Sequence, residues 1–234
     1  MEKIMKITAL ALCVLIVISS VTVWVFSKKD NGFDPFGAND IVQYIKNMEM
    51  NMTSVVYVKN SDGEWEEYQR LHGEENRIWL SYEEMPEEIC WAFICLEDKR
   101  FYDHPGVDWI RTAGVMINPA YEGQGASTIT QQLVKNLTGD NEATVQRKVQ
   151  EIFRALRLEE EMSKEDILEM YLNIVFLGNN CYGVQAAANT YFDTDVSELT
   201  VVECAALAGI VKNPSQYEPI YHDIVYKENA DGEK

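Results

Sequence analysis

Three stretches of this chain hold residue types that can do chemistry together. In the first, Glu97-Asp98-Lys99-Arg100-Phe101-Tyr102-Asp103-His104-Pro105-Gly106, a strongly apolar segment ends abruptly in acids and enters a Pro-Gly turn. A carboxylate at the edge of apolar packing has a raised proton affinity and can act as a base. The plainer alternative is that Glu97 and Asp98 pair with Lys99, Arg100 or other surface cations, and that His104, before a proline, is a hydrogen-bonded turn residue rather than a ligand. In the second, Gly123-Gln124-Gly125-Ala126-Ser127-Thr128-Ile129-Thr130-Gln131-Gln132-Leu133-Val134-Lys135-Asn136, a glycine-rich approach meets hydroxyl residues. At a helix N-terminus this exposes backbone N–H groups and a favourable dipole to an anion. Lys135 and Asn136, two turns on, add a charge and an amide. The G-x-x-x-x-G-K-[ST] spacing is absent, which disfavours ATP or GTP, and an ordinary capped helix is the alternative. In the third, Arg147, Glu151 and Arg154 fall at i, i+4 and i+7, with Lys148 and Arg157 nearby. That is either a solvated salt-bridge ladder, worth about 0.3–0.5 kcal/mol per pair, or a diphosphate-binding face with an embedded acid.

Such residues need a scaffold, and the surrounding patterns are helical. Pro86 is placed to open a helix at its first turn, followed by Ile89, Trp91, Phe93, Ile94 and Leu96. Thr128 with Gln131 makes a capping box for a helix through Asn136. Val145, Val149, Ile152 and Leu156 step by three or four, which predicts a third helix with one buried stripe and the Arg147 cluster facing away from it. Ser163 with Asp166 caps a fourth, through Ile167, Leu168, Tyr171 and Leu172 to Gly178. Ser197 starts another, with Val201, Val202, Ala205 and Leu207 inside and Gly209 near its end. Earlier, TSVVYVKNSDGEWEEYQRL alternates around Val55 and Tyr57 and turns at Asn60 to Gly63, which predicts a small hairpin. The fold class is mainly α, without an internal repeat.

The chain has 234 residues, 47% hydrophobic, with 20 Lys+Arg against 38 Asp+Glu and a net charge of -18. This excludes a disordered chain, a collagen-like repeat and a small disulfide scaffold, and leaves room for one globular domain plus an appendage. The acid excess argues against nucleic acid as a partner, because that attraction comes from a broad Lys and Arg face. From Ile7 to Phe26 no residue is charged; a helix of about 20 apolar residues spans a bilayer core of about 30 Å. The run exceeds a signal-peptide core of roughly 7–15 residues and no A-x-A site follows it, so residues 1–28 read as a cytoplasmic end and membrane anchor. Lys3 and Lys6 are matched by Lys28 and Lys29, so charge leaves the orientation open. Residues 29–50 read as a linker, 51–220 as the globular domain and 221–234 as a polar tail. Four of the 20 basic and two of the 38 acidic residues precede residue 31, so the body carries the acidity and stands off anionic headgroups. Cys90, Cys95, Cys181 and Cys204 lack metal-site spacing and lie among apolar neighbours, as buried small hydrophobes do.

Together the three stretches resemble the family 51 peptidoglycan glycosyltransferases, monofunctional enzymes and the transglycosylase domains of class A penicillin-binding proteins. The pattern E-D-x-x-F-x-x-H-x-G is met by Glu97 to Gly106, G-x-S-T-I-T-Q-Q-x-x-K-N by Gly125 to Asn136, and R-K-x-x-E by Arg147 to Glu151. Ile167 to Asn173 with Gly178 looks like a fourth motif, and Glu203 to Tyr217 a fifth, so the resemblance spans about residues 79 to 219. It implies a lysozyme-like helical domain with a small N-terminal β-hairpin on a single transmembrane helix, its catalytic domain outside the plasma membrane. The implied activity is polymerisation of lipid II by inverting transfer of the undecaprenyl-diphosphate-linked glycan onto the 4-hydroxyl of the next disaccharide.

Carried over residue by residue, Glu97 would be the general base and Glu151 would assist at the donor diphosphate, directly or through a divalent cation. Lys135, Arg147 and Lys148 would hold the diphosphate, Ser127, Thr128, Gln132 and Asn136 would position substrate, and Asp98, Phe101 and His104 would shape the pocket. The resemblance leaves the metal unknown, with Mg or Mn as the candidate ions. It implies lipid II, the growing lipid-linked glycan and the membrane as partners, alongside cell-wall synthesis proteins. Trp109, Ile110, Val115, Met116 and Ile117 would either dip into the bilayer edge, as in the family, or pack in the core. The Ser-x-x-Lys, Ser-x-Asn and Lys-Thr-Gly boxes of a transpeptidase are absent, which leads to the expectation of a single-domain enzyme. Two rivals stand beside it: a lysozyme-like enzyme using Glu97 as acid on finished glycan, against which the basic cluster argues, and a silent membrane-anchored binding relative, against which both acids argue.

Overall fold

The structure, a computed structural model, describes residue 19 and residues 38–47, 54–60, 63–71, 76–117, 125–139, 142 and 144–219. Helices dominate it. Helix α1 (Ala38–Asn47) precedes a hairpin of β1 (Ser54–Lys59) and β2 (Trp65–Leu71), antiparallel with one irregularity at Val56/Tyr57. Its turn is closed by Asn60, whose Oδ1 accepts from the Glu64 N–H at 3.0 Å and whose carbonyl accepts from the Gly63 N–H at 3.0 Å. Then come β3 (Asn76–Arg77), α2 (Glu87–Glu97), α3 (Trp109–Ile117), α4 (Ile129–Thr138), α5 (Val145–Glu161), α6 (Lys164–Ile174), β4 (Cys181–Tyr182), α7 (Val184–Phe192), α8 (Val201–Ile210) and α9 (Pro214–Tyr217). β3 and β4 pair in parallel, Asn76 opposite Cys181. Two-residue strands carry no alternation, so the sequence gives no sign of this pair.

Reciprocal capping boxes form at Thr128/Gln131 and Ser163/Asp166 as the spacing predicts, each such cap being worth about 1 kcal/mol. α2 packs on α8, α4 lies against both α5 and α6, and α1 covers part of α5. Ile89, Phe93, Ile129, Leu133, Leu158, Ile167, Leu168 and Leu207 are closed to solvent between them. Phe93 meets Tyr171 edge to face at 6.2 Å, the arrangement that ring quadrupoles favour.

Several expectations need correction. On α5 the buried positions are Glu151, Phe153, Ala155 and Leu158, while Val145 is 70% exposed. Both α4 and α1 pack on this helix, and Phe153 is buried off the line of Glu151, Ala155 and Leu158, so no single stripe takes all the burial. α8 begins at Val201 behind a Thr200/Glu203 box rather than at Ser197, which lies in a preceding 3-10 turn. Val201 and Val202 are exposed, as is Ala205, and Cys204, Leu207, Ala208 and Ile210 face the core. A helix apolar on nearly every side gives periodicity nothing to choose by. Cys95 is exposed, whereas Cys90, Cys181 and Cys204 are buried free thiols; burial pushes the Cys90 thiol up to about 11.

Gly106 joins the first motif to α5. Its φ is +89°, and a Cβ there would meet the Ala155 carbonyl oxygen at 2.7 Å. Gly106→Ala should therefore lose about 2–4 kcal/mol, from the left-handed backbone and the forced contact together. Urea unfolding of the two proteins measures it, and coincident midpoints would show that the turn relaxes freely.

Among the described residues no helix is long and apolar enough to cross a membrane. The expected span at 7–26 lies, apart from Ser19, outside the described residues, and so does the tail 221–234. On α3, Ile110 is 73% exposed while Trp109 and Val115 are half-buried.

Candidate active site

Glu97 is the last residue of α2, at the point where an apolar helix reaches the surface, and it is half-buried. Gln132, one turn into α4, donates from Nε2 to Glu97 Oε2 at 2.7 Å, and the Tyr171 hydroxyl on α6 donates to Gln132 Oε1 at 3.0 Å. Burial, and then the nearby carboxyls of Glu97 and Asp98, push the Tyr171 hydroxyl well above its ordinary range. Tyr171 therefore stays a donor at every working pH and fixes the Gln132 amide with its NH2 towards Glu97. Glu97 Oε1 has no partner among the described residues and is the oxygen able to accept a proton. Sequence reading placed Tyr171 on the buried run of α6 and inside the fourth motif but gave it no role; the structure brings its hydroxyl to Gln132 beside Glu97.

Asp98 is wholly buried, not paired with a surface cation. Its two oxygens each lie 3.0 Å from His104 Nε2, and Oδ2 also accepts from the Ile129 N–H at 3.0 Å. With the carboxyl as acceptor, the ring proton is assigned to Nε2; His104 Nδ1 is buried without a partner among the described residues. The bond to Ile129 satisfies one of the four orphan donors of α4. The neighbouring Thr128 hydroxyl donates to the Gly106 carbonyl at 2.5 Å. Thr128 and Phe101 are closed to solvent, and Lys164 Nζ lies 4.4 Å over the Phe101 ring. Direct substrate contact is thus closed to Asp98, Phe101 and Thr128; they hold the frame in which Glu97 and α4 meet.

The cations form a second group. Arg147 Nη1 donates to Glu151 Oε2 at 2.5 Å, Lys148 Nζ donates to Glu151 Oε1, and Lys148 Nζ also donates to Ser127 Oγ at 3.0 Å. Glu151 is 4% exposed: a buried acid clamped by two cations, not a rung of a solvated ladder. Arg147 Nε is buried without a partner among the described residues, leaving a donor unused. Both Glu151 oxygens are engaged, and among the described residues no group of three or more His, Cys, Asp or Glu can hold a metal ion. The donor set does not fit a protein-held Mg or Mn; the charge offered to an anion is that of Arg147 and Lys148 themselves. Lys135 and Asn136 stand exposed on α4 beyond Gln132 and are not drawn into either group.

What joins the two groups is residues 127 to 132. Ser127 contacts Lys148, Ile129 contacts Asp98 and Gln132 contacts Glu97, so the N-terminal turn of α4 lies between one carboxyl with a free oxygen and one cationic pair. Beside it, Asp108 accepts from the Arg100 Nε at 2.9 Å and from the Arg111 backbone N–H at 2.7 Å. Burial works against the Asp108 carboxylate, but these hydrogen bonds outweigh it and hold the group below its usual range. A lowered folded value means stability present above the unfolded pKa and lost as pH falls through the folded one. Asp108→Asn should cost about 1–3 kcal/mol at pH 7, with the gap to the parent closing below about pH 4 as the parent protonates too. Parallel stability curves across that range would contradict it.

The transglycosylase family model matches residues 64–232. Penicillin-binding protein 1A of Escherichia coli (strain K12) is 42% identical over 183 residues, covering 77% of this chain and 21% of its own length. Penicillin-binding protein 1A of Vibrio cholerae serotype O1 is 49% identical over 152 residues, 64% of this chain and 18% of its own. Penicillin-binding protein 1F of Bacillus subtilis (strain 168) is 44% identical over 160 residues, 67% and 22%. The chain spans about a fifth of the length of these relatives.

Proposed function

The chain belongs to the transglycosylase family, and from that premise we propose that it is a peptidoglycan glycosyltransferase that polymerises lipid II. The observation that carries the reading is residues 127 to 132, which bond on one side to Glu97 and on the other to the Arg147–Lys148–Glu151 group. Glu97 Oε1 takes the proton of the acceptor 4-hydroxyl as that oxygen bonds to the donor's anomeric carbon. The bond from that carbon to the diphosphate breaks with inversion, and its electrons leave on the diphosphate. A diphosphate is already a competent leaving group, so it needs cations at the departing oxygens rather than an acid. Arg147 and Lys148 supply them, with Glu151 holding both in place; Lys135 and Asn136 extend the same face along α4, and Ser127 and Gln132 position the substrates.

The remainder of the reading concerns placement. Residues 1–28 anchor the chain in the plasma membrane by a single pass, and residues 51–220 form a lysozyme-like domain outside it, to which α1 belongs: the expected linker 29–50 contains this helix, packed on α5 with Ile41 buried. Ile110 at the exposed edge of α3 meets the bilayer surface. Both substrates are lipid-linked, so tethering confines enzyme and substrate to one plane and raises their effective concentration.

The test is polymerisation of fluorescent lipid II by the detergent-solubilised full chain, with products separated by size. A ladder of long glycans supports the reading. Lipid II bound without any product would point instead to a silent binding protein.

A further inference from the structure

Arg111 has no part in the chemistry so far, yet its side chain reaches back from α3 to the helix that carries Glu97. Its Nη1 donates to the backbone carbonyl of Glu97 itself. That carbonyl is among the last of α2, where C=O groups lack helical partners and the dipole presents about half a negative charge. The Arg111 backbone N–H donates to Asp108 Oδ1 at 2.7 Å, Asp108 is paired with Arg100, and the Thr112 N–H and hydroxyl both bond to the Asp108 carbonyl at 2.9 and 2.8 Å. The first turn of α3 is therefore locked, and with it the base of the arginine.

We propose that Arg111 is a positioning residue of the site, closing the end of α2 so that Glu97 keeps its place. The proposal rests on the reading of Glu97 as base. Among the described residues, Asp98 follows Glu97 and is tied to His104, Gln132 on α4 bonds the Glu97 side chain, and Tyr171 on α6 holds Gln132. Arg111 is the cation bonded to the main chain of Glu97, set against the negative end of the α2 dipole.

The experiment measures kcat and KM for lipid II, beside the thermal midpoint, with the full-length parent, Arg111→Gln and Arg111→Lys. For Arg111→Gln we expect kcat about tenfold lower, KM within twofold and a midpoint within about 2 °C of the parent's. Arg111→Lys keeps a cation but not the fork, so kcat recovers only in part. Activity and thermal midpoint falling together in Arg111→Gln overturn the proposal in favour of a structural brace. A raised KM with kcat unchanged overturns it in favour of substrate contact. Should Arg111→Gln fail to fold, Arg111→Lys decides: full parental kcat overturns the proposal. A silent parent is a different failure, that of the polymerase reading underneath.

Discussion

Glu97→Gln will turn lipid II over about a thousandfold more slowly than the parent, within the 10²–10⁴ that a positioned base contributes. The substitution removes the proton acceptor and little else. A glutamine side-chain oxygen can still accept from Gln132 Nε2 as Glu97 Oε2 does at 2.7 Å, so the Gln132–Tyr171 relay has no reason to shift. KM and the thermal midpoint should stay close to the parent's, and the loss should appear in kcat. Steady-state kinetics beside a melting curve decide it. A variant within tenfold of the parent would mean that some other group takes the proton.

Asp98→Asn should damage the protein more than any other single-atom exchange named above. Three hydrogen-bond contacts converge on the carboxyl inside the core, two from His104 Nε2 and one from the Ile129 N–H. Turned towards Ile129, the amide NH2 sets N–H against N–H; turned towards His104, it is accepted only if the ring proton moves to Nδ1, which is buried without a partner among the described residues. About 3 kcal/mol is the scale of that penalty, roughly 6–12 °C in a domain of this size. Activity falls with it, because the first turn of α4, which positions Gln132 and Ser127, hangs from the same bond. A midpoint within about 2 °C of the parent's would show that His104 turns and the site repacks.

How much of this the sequence disclosed depended on the range of the interaction. Caps act within four residues, so Thr128 with Gln131 and Ser163 with Asp166 were legible from spacing alone, as was the turn at Asn60 to Gly63. The mainly helical character and the three chemical stretches were equally plain. The burial of Asp98 was not, since it depends on Ile129, 31 residues further on, offering an N–H. For Glu151 the sequence left a solvated ladder and an embedded acid both open, because helical spacing reports which residues share a face, not which face is covered; the burial of Glu151 removes the ladder. Ala155 points to the core where Gly106 comes close, and an alanine gives periodicity no signal. Tyr171 stood inside the fourth motif without a role, and Arg111 outside every motif, for a related reason: each bonds another residue's amide or carbonyl, and motif spacing does not name such a partner.

The packing of α2 against α8 bears on synthesis. The helix that presents Glu97 takes much of its covering surface from residues 201–210, and β3 finds its partner strand at Cys181–Tyr182. A nascent chain stopped short of Val201 would already hold each of the motif residues from Glu97 to Glu151, yet Ile89 and Phe93 would still lack much of the wall that buries them. Such late, sequence-distant closure slows folding and leaves sticky surface exposed in the meantime. The growing polypeptide therefore completes the wall behind Glu97 only once residues 201–210 have left the ribosome.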